Sequence, residues 1–269
     1  MTERIGLFVD FANIRMNGGY GLRVDLLRRF AERDGARLAR LNAYLPYDTT
    51  RAETDAVYRA GQLRYHDVLR DNGYKVLLKP VRWYEDSQGV RYSKADCDMD
   101  IAVDVLEQAG RLDTLLLCTG DGDFVRVVEG AQVRGSRVEV LAFRNVSRRL
   151  RTVADGFTSG YLVPQLVGPD GEGRPREWGV LGGWARGVCY QFENGYGFVR
   201  FMKRIAGKSW VTDSRDDESP WATCFLHSSQ LPEGLRGDDL PSRELVLEFD
   251  LEEGDAPGRL KAVNVAQVG

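Results

Sequence analysis

The sequence predicts two folds in series: an α/β domain on a mostly parallel sheet with helices on both faces, then a small all-β barrel of the OB type. Three observations carry this. Through residue 167, short apolar runs alternate with longer segments of helical period, the rhythm of βαβ units. In "VGPDGEGRPREWG" (167–179) Gly, Pro and charged residues displace the periodic apolar ones, as in a linker. Beyond it only short β runs follow. The expected domains are residues 1–167, a linker at 168–179 and a barrel over 180–269.

In chain order, strands are expected at 5–10 ("IGLFVD"), 37–45 ("RLARLNAYL"), 74–81 ("YKVLLKPV"), 114–118 ("TLLLC") and 137–143 ("RVEVLAF"). Helical stretches lie near 22–34, 51–71, 98–109, 123–134 and 147–155. The barrel strands are "GVCYQF", "YGFVRF", "TCFLHS", "ELVLEF" and "LKAVNV". No internal repeat is present.

Composition narrows the function classes. The 269 residues are 43% hydrophobic and 29% charged, the balance of a soluble globular chain. No apolar run approaches the roughly 18–20 residues of a membrane span, and "MTERIGLFVDFAN" lacks the apolar core of a secretory signal. Cys97, Cys118, Cys189 and Cys224 stand apart without CxxC spacing, with only His66 and His227 to assist. That disfavours zinc and disulfides and points to buried thiols in the cytoplasm. Two histidines also argue against a Ser-His-Asp or Cys-His enzyme. Residues 1–167 carry 25 basic and 23 acidic side chains, and residues 168–269 carry 12 and 17. Neither half is strongly basic, so nucleic-acid binding would have to rest on local patches.

The chemistry gathers at strand ends. "FVDFAN" puts Asp10 and Asn13 after the first strand, and "LLLCTGDGDFV" puts Asp121 and Asp123 after the fourth. In open α/β sheets, sites form beyond the carboxyl ends of strands. On a helical wheel of "SKADCDMDIAVDVLEQA", Met99, Ala102, Val105, Leu106 and Ala109 make the apolar side. Asp100, Asp104 and Glu107 fall opposite, as a solvated face, while Asp98 lies at the apolar edge, aimed inward. Each acid taken singly has an ordinary role as a helix cap or a charge at a helix start. Together they form a cluster of hard oxygen ligands suited to Mg²⁺ or Mn²⁺. "GDGDFV" is a poor dinucleotide loop: Val125 replaces the third glycine, and two carboxylates would repel a pyrophosphate. No GxxxxGK[ST] occurs.

"LFVDFAN", "SKADCDMDIAVDVLEQA" and "LLLCTGDGDFVRVVEGAQVRGSRVEVLAF" together resemble the NYN domain, of the LabA-like branch of PIN-type nucleases, through roughly residues 4–165. The resemblance implies a metal-dependent ribonuclease fold. The family's acids map onto Asp10, Asp98, Asp121 and Asp123, with Asn13 beside the first; an acid at Asp104 is also usual. In the mechanism this implies, Asp10, Asp98 and Asp121 hold Mg²⁺ or Mn²⁺, Asp123 orients a second metal or the attacking water, and Asn13 positions a ligand or phosphate. Lys94 and the "RNVSRRLR" group (Arg144, Arg148, Arg149, Arg151) are candidates for the RNA backbone, with a solvated helix face as the equal alternative.

In the barrel, "NGYGFVRF" and "TCFLHSS" resemble the two ribonucleoprotein-type motifs of cold-shock domains. Tyr196 and Phe198 share one strand face, Phe225 and His227 another, and Tyr190 and Phe192 extend the set. Exposed rings there can stack bases, and Gly195 and Gly197 would let a strand approach. The alternative is that some rings fill the barrel core. A long acidic insertion at 203–221 and the net negative charge of this half favour that alternative. The expected function is a cytoplasmic, metal-dependent ribonuclease acting on single-stranded RNA, or DNA, with a tethered binding module. The alternative is a non-cleaving RNA-binding regulator on the same scaffold. No membrane partner is expected, and a homodimer stays open.

Overall fold

The computed structural model describes residues 2–85, 88, 91–95, 97–170, 177–256 and 258–268. They pack into two compact units, residues 1–20 with 35–158 and residues 21–34 with 159–269. Among the described residues no helix is long and apolar enough to cross a membrane.

The first unit is built on β1 (Arg4–Asp10), β2 (Arg37–Tyr47), β3 (Lys75–Pro80), β6 (Thr114–Cys118), β7 (Arg137–Ala142) and β8 (Gly156–Ser159), ordered β3-β2-β1-β6-β7-β8. The pairs from β3 through β7 are parallel. β4 (Arg82–Glu85) and β5 (Arg91–Lys94) form a separate antiparallel pair. All five residues of β6 are buried, as are six of the seven in β1. A central parallel strand covered on both faces demands that continuous apolar run.

Helices α1 (Phe11–Met16), α3 (Thr49–Thr54), α4 (Ala56–Asp71), α5 (Asp98–Gln108), α6 (Val125–Val133) and α7 (Arg148–Val153) complete this unit, and α2 (Val24–Ala31) belongs to the second. Ile101 and Val105 of α5 join Phe8, Leu115, Leu117 and Val128 in one core cluster. The chain leaves β1 toward β2 on one side and later reaches β6 on the other. The carboxyl ends of β1 and β6 therefore flank the topological switch point, where such sheets open a crevice.

In the second unit, β9 (Trp184–Glu193), β10 (Tyr196–Met202), β11 (Trp221–His227), β12 (Val246–Glu253) and β13 (Leu260–Val268) close a barrel in the order β10-β11-β13-β12-β9. Only β11 and β13 pair in parallel. This is the five-stranded OB arrangement. Its core gathers Trp184, Val199, Phe201, Leu226, Leu247 and Phe249.

Both described ends of the 168–179 stretch pack on this barrel. Trp178 is buried in the core and its Nε1 donates to the Met202 carbonyl at 2.6 Å. At the other end, Arg186 and Glu248, 1% and 0% exposed, form a buried ion pair at 2.7 Å. Arg186 also donates to the Gly168 carbonyl at 2.7 Å, and Glu248 accepts the Asp170 N–H at 3.0 Å.

Candidate functional site

The site starts with the end of β1. Asp10 caps α1: its Oδ1 accepts the Asn13 N–H at 3.0 Å, and its Oδ2 accepts the Thr119 hydroxyl at 3.2 Å. Only 4% of Asp10 is exposed. Burial pushes its carboxyl above the usual carboxylate range, and the negative charge of Asp121 adds to this, against the lowering effect of the accepted hydrogen bonds. The charged form of Asp10 is thus held at a cost that a cation would remove.

The β6 end is stitched to the same place. Asn13 Oδ1 accepts the Gly120 N–H at 2.9 Å, Thr119 Oγ1 accepts the Asp121 N–H at 3.3 Å, and Asp121 Oδ1 accepts the Asp123 N–H at 2.9 Å. Asp121 caps the 3-10 turn Gly122–Phe124. Asp10 and Asp121 thus both act as caps, and in doing so face the same loop. Asp121 is half-buried and Asp123 exposed.

Asp98 opens α5, half-buried, in the first helical turn. Its neighbour Cys97 is pushed up to about 12 by burial first, then by the charges of Asp10 and Asp100 and, last, Asp98. Cys97 thus lies between the β1 end and the start of α5. Asp100 is exposed and ion-paired with Lys79 at 2.7 Å, and Glu107 is exposed.

The wheel needs two corrections. Met99 is 70% exposed, and the buried residues are Ile101 and Val105. The apolar face is therefore rotated so that Asp98 stands on it. Asp104 does not belong to a solvated face: its Oδ2 accepts the Tyr44 hydroxyl at 2.6 Å and Asn42 Nδ2 at 3.1 Å. Burial, and then the hydrogen bond to Asp104, push the Tyr44 phenol up, so it remains a donor. Asp104 acts on the sheet behind Asp10, since Tyr44 is the register partner of Asp10. Thr119, Cys97 and Tyr44 were invisible as site neighbours in the sequence. Only the position of Thr119, between a strand end and the acid pair, could have flagged it.

Among the described residues, no group of three or more His, Cys, Asp or Glu side chains is arranged as a ready metal cage. The structure brings together Asp10 and Asp121, with Asn13 and Thr119, while Asp98 opens α5 beside Cys97 and Asp123 is exposed. Mg²⁺ commonly takes one or two carboxylates, waters and substrate phosphate rather than an all-protein cage. An all-oxygen pair with an elevated carboxyl fits that donor chemistry.

The basic candidates divide. Arg144 and Arg148 are exposed at the β7 end and on α7. Arg149 lies 3.9 Å from Glu129, and the Arg151 guanidinium covers the Phe157 ring at 4.4 Å. Lys94 ends β5 opposite Arg82, and its side chain lies outside the described residues.

On the barrel, Tyr196 pairs with His227 and Phe198 with Phe225 across β10 and β11. Phe225 stacks against Tyr196 at 6.0 Å and His227 at 6.5 Å, and meets Phe198 edge-on at 6.1 Å. Tyr190 is exposed, but Phe192 packs against the core. The glycines do something other than admit a ligand. Gly197 is buried, and a Cβ there would lie 2.2 Å from the Gln191 carbonyl, so it serves the close approach of β9. Gly195, at φ +83° after Asn194 at φ 55°, makes the hairpin turn.

A parallel sheet with an acid pair at its switch point, one member buried and one half-buried, followed by an OB barrel, defines an α/β protein with an appended β domain. Residues 4–163 match the NYN domain model. The chain belongs to the NYN domain family, a PIN-like group whose members are typically nucleases. It is 28% identical over 162 residues to "Low amplitude and bright protein LabA" of Synechococcus elongatus, covering 58% of this chain and 82% of that protein. A crystal structure of a protein of unknown function from Vibrio parahaemolyticus is 28% identical, over 58% of this chain and 91% of that one, with a TM-score of 0.49.

Proposed function

We propose that the protein is a metal-dependent ribonuclease acting on single-stranded RNA, with the barrel as its cold-shock-like binding module. The observation that carries the reading is the pairing of buried Asp10 with Asp121 at the β1–β6 switch point, where burial and like charge raise the Asp10 carboxyl. Membership of the NYN family supports it. Mg²⁺ or Mn²⁺ would be held by Asp10 and Asp121, with Asp98 and Asp123 as the further candidate carboxylates. When bound, such an ion activates a water and offsets charge on the phosphate.

The chain's own residues do the rest. Thr119 and the Asn13 N–H fix both oxygens of Asp10, so its orientation is set before substrate arrives. Asn13 holds the Gly120 amide and through it the Thr119–Asp123 loop. Exposed Asp123 is placed to orient an attacking water. Exposed Arg144 and Arg148, beside the loop through the Ser147 N–H to Gly120 carbonyl bond of 2.9 Å, can meet backbone phosphates. The barrel rings would hold unpaired bases by stacking.

The test is incubation of labelled single-stranded RNA and DNA with Mn²⁺, Mg²⁺ or EDTA. Cleavage of RNA with a divalent ion and none in EDTA is expected. Binding without cleavage under every condition would replace this reading with that of a non-cleaving RNA-binding regulator.

A further inference from the structure

The outward face of the barrel carries a cation beside its rings, and one end of it is closed. β10 and β11 present matched outward rungs: Tyr196 with His227, Phe198 with Phe225, Arg200 with Thr223, and Met202 with Trp221. Rungs are about 7 Å apart, two residues of strand rise. The first two are aromatic, the first exposed and the second half-buried. The fourth is covered, with Met202 1% and Trp221 9% exposed. Trp221 Nε1 donates to the Ser209 carbonyl at 2.8 Å, and Ser214 Oγ lies 3.2 Å from Thr223 Oγ1. The 203–220 segment therefore caps the face at its third rung.

That third rung is cationic. The Arg200 guanidinium lies 5.5 Å from the Tyr190 ring and 5.4 Å from that of Trp221. Its Nε is buried with no hydrogen-bond partner among the described residues. The other charged side chain that acts on it is a second cation, Arg243. A guanidinium held between rings presents paired N–H donors that suit two oxygens of a tetrahedral phosphate. Just beyond, the capping segment carries Asp213, Asp216, Asp217 and Glu218. Asp213 is paired with Arg215 and Glu218 with Lys208. Asp216 lends its charge to Lys208 as well, and neither Asp216 nor Asp217 makes a direct ion pair among the described residues, so both carboxylates oppose an advancing phosphate chain.

We propose that this face is a short, one-ended site for single-stranded RNA. Two bases stack on the aromatic rungs, Arg200 holds the phosphate that follows, and the 203–220 segment stops the strand there. This rests on the reading of the barrel as an RNA-binding module and adds to it a phosphate-binding residue and a limit on footprint.

The test is fluorescence anisotropy of the full chain with labelled oligouridylates of two to eight nucleotides, in EDTA and across a salt series. Phe198→Ala defines the component of binding that belongs to the barrel. That component is expected to stop gaining affinity at about three to four nucleotides, given the two-residue rung spacing. Arg200→Gln should weaken it by about tenfold, the size of a lost charged hydrogen bond, and reduce the salt slope by about 0.7. Arg200→Lys, which keeps the charge, should retain the slope; Arg243→Gln gives a second reading should Arg200→Gln fail to fold. Asp216→Asn with Asp217→Asn should tighten binding and lengthen the footprint. A barrel component that gains steadily to eight nucleotides, or that ignores both the Arg200 and the aspartate changes, overturns the proposal. If Phe198→Ala changes nothing, no barrel component exists, and the RNA-binding reading of the barrel falls with it.

Discussion

In the sheet unit the candidate group at the end of β1, Asp10, is buried, whereas in the barrel the candidates stand on the face turned away from the core. Asp10 sits among Phe8, Val9 and Phe11, all 1% exposed or less, and its orientation is set by Asn13 of α1 and by Thr119, just past β6. Tyr196 and His227 are exposed, and they meet Phe225 through ring contacts alone. Preorganised charge needs a surrounding core to hold it; a stacking surface needs rigid strands beneath and open space above. Substitutions should therefore hit reaction in the first unit and affinity in the second.

The largest expected effect lies in what holds the barrel together. Glu248→Gln removes the buried counter-charge of Arg186, leaving only the exposed Asp170 carboxylate at 3.7 Å, and should cost about 3–5 kcal/mol of barrel stability, measured by urea unfolding followed by tryptophan fluorescence. A loss below about 1 kcal/mol would mean that water reaches the pair. Next, Asp10→Asn and Asp121→Asn should each lower RNA cleavage more than about 100-fold, beyond the range of an outer-shell partner, while circular dichroism stays native. Equal activity in either variant would remove the acid pair from the chemistry.

Smaller again, Phe225→Ala and Phe198→Ala should weaken single-strand binding by about 1–3 kcal/mol each, with cleavage of saturating RNA little changed. Because both rings are half-buried, thermal melts must accompany the binding curves. A variant that loses stability but no affinity would turn its ring into core. The smallest effect is a pH dependence in the sheet unit. His66 is 1% exposed, and burial, then the charge of Arg70, hold its imidazole below the usual histidine range. The unfolded chain then binds more protons than the folded one as pH falls below about 6.5. Stability present at pH 7 should be lost progressively through that window, and His66→Leu should flatten this part of the profile.

The sequence by itself determined the parallel sheet and the barrel, and it drew attention to four acids, because each is a local signal. Continuous apolar runs mark buried parallel strands, and a carboxylate at a strand end or helix start needs no distant partner to be noticed. Sequence also paired Tyr196 with Phe198 and Phe225 with His227, each pair on one face of its own strand through the two-residue period, and the pairing of β10 with β11 joined the two faces. Tertiary structure decided what those residues touch. The phase of α5 turned on packing against the sheet, which buried Ile101, exposed Met99 and handed Asp104 to Tyr44, 60 residues away in the chain. Gly197 was claimed by the neighbouring strand, and Trp178 and Asp170 were drawn from an apparent linker onto the barrel. Such partners are chosen by closeness in space and by the need of each buried donor and acceptor to be satisfied, and neither leaves a mark in local composition.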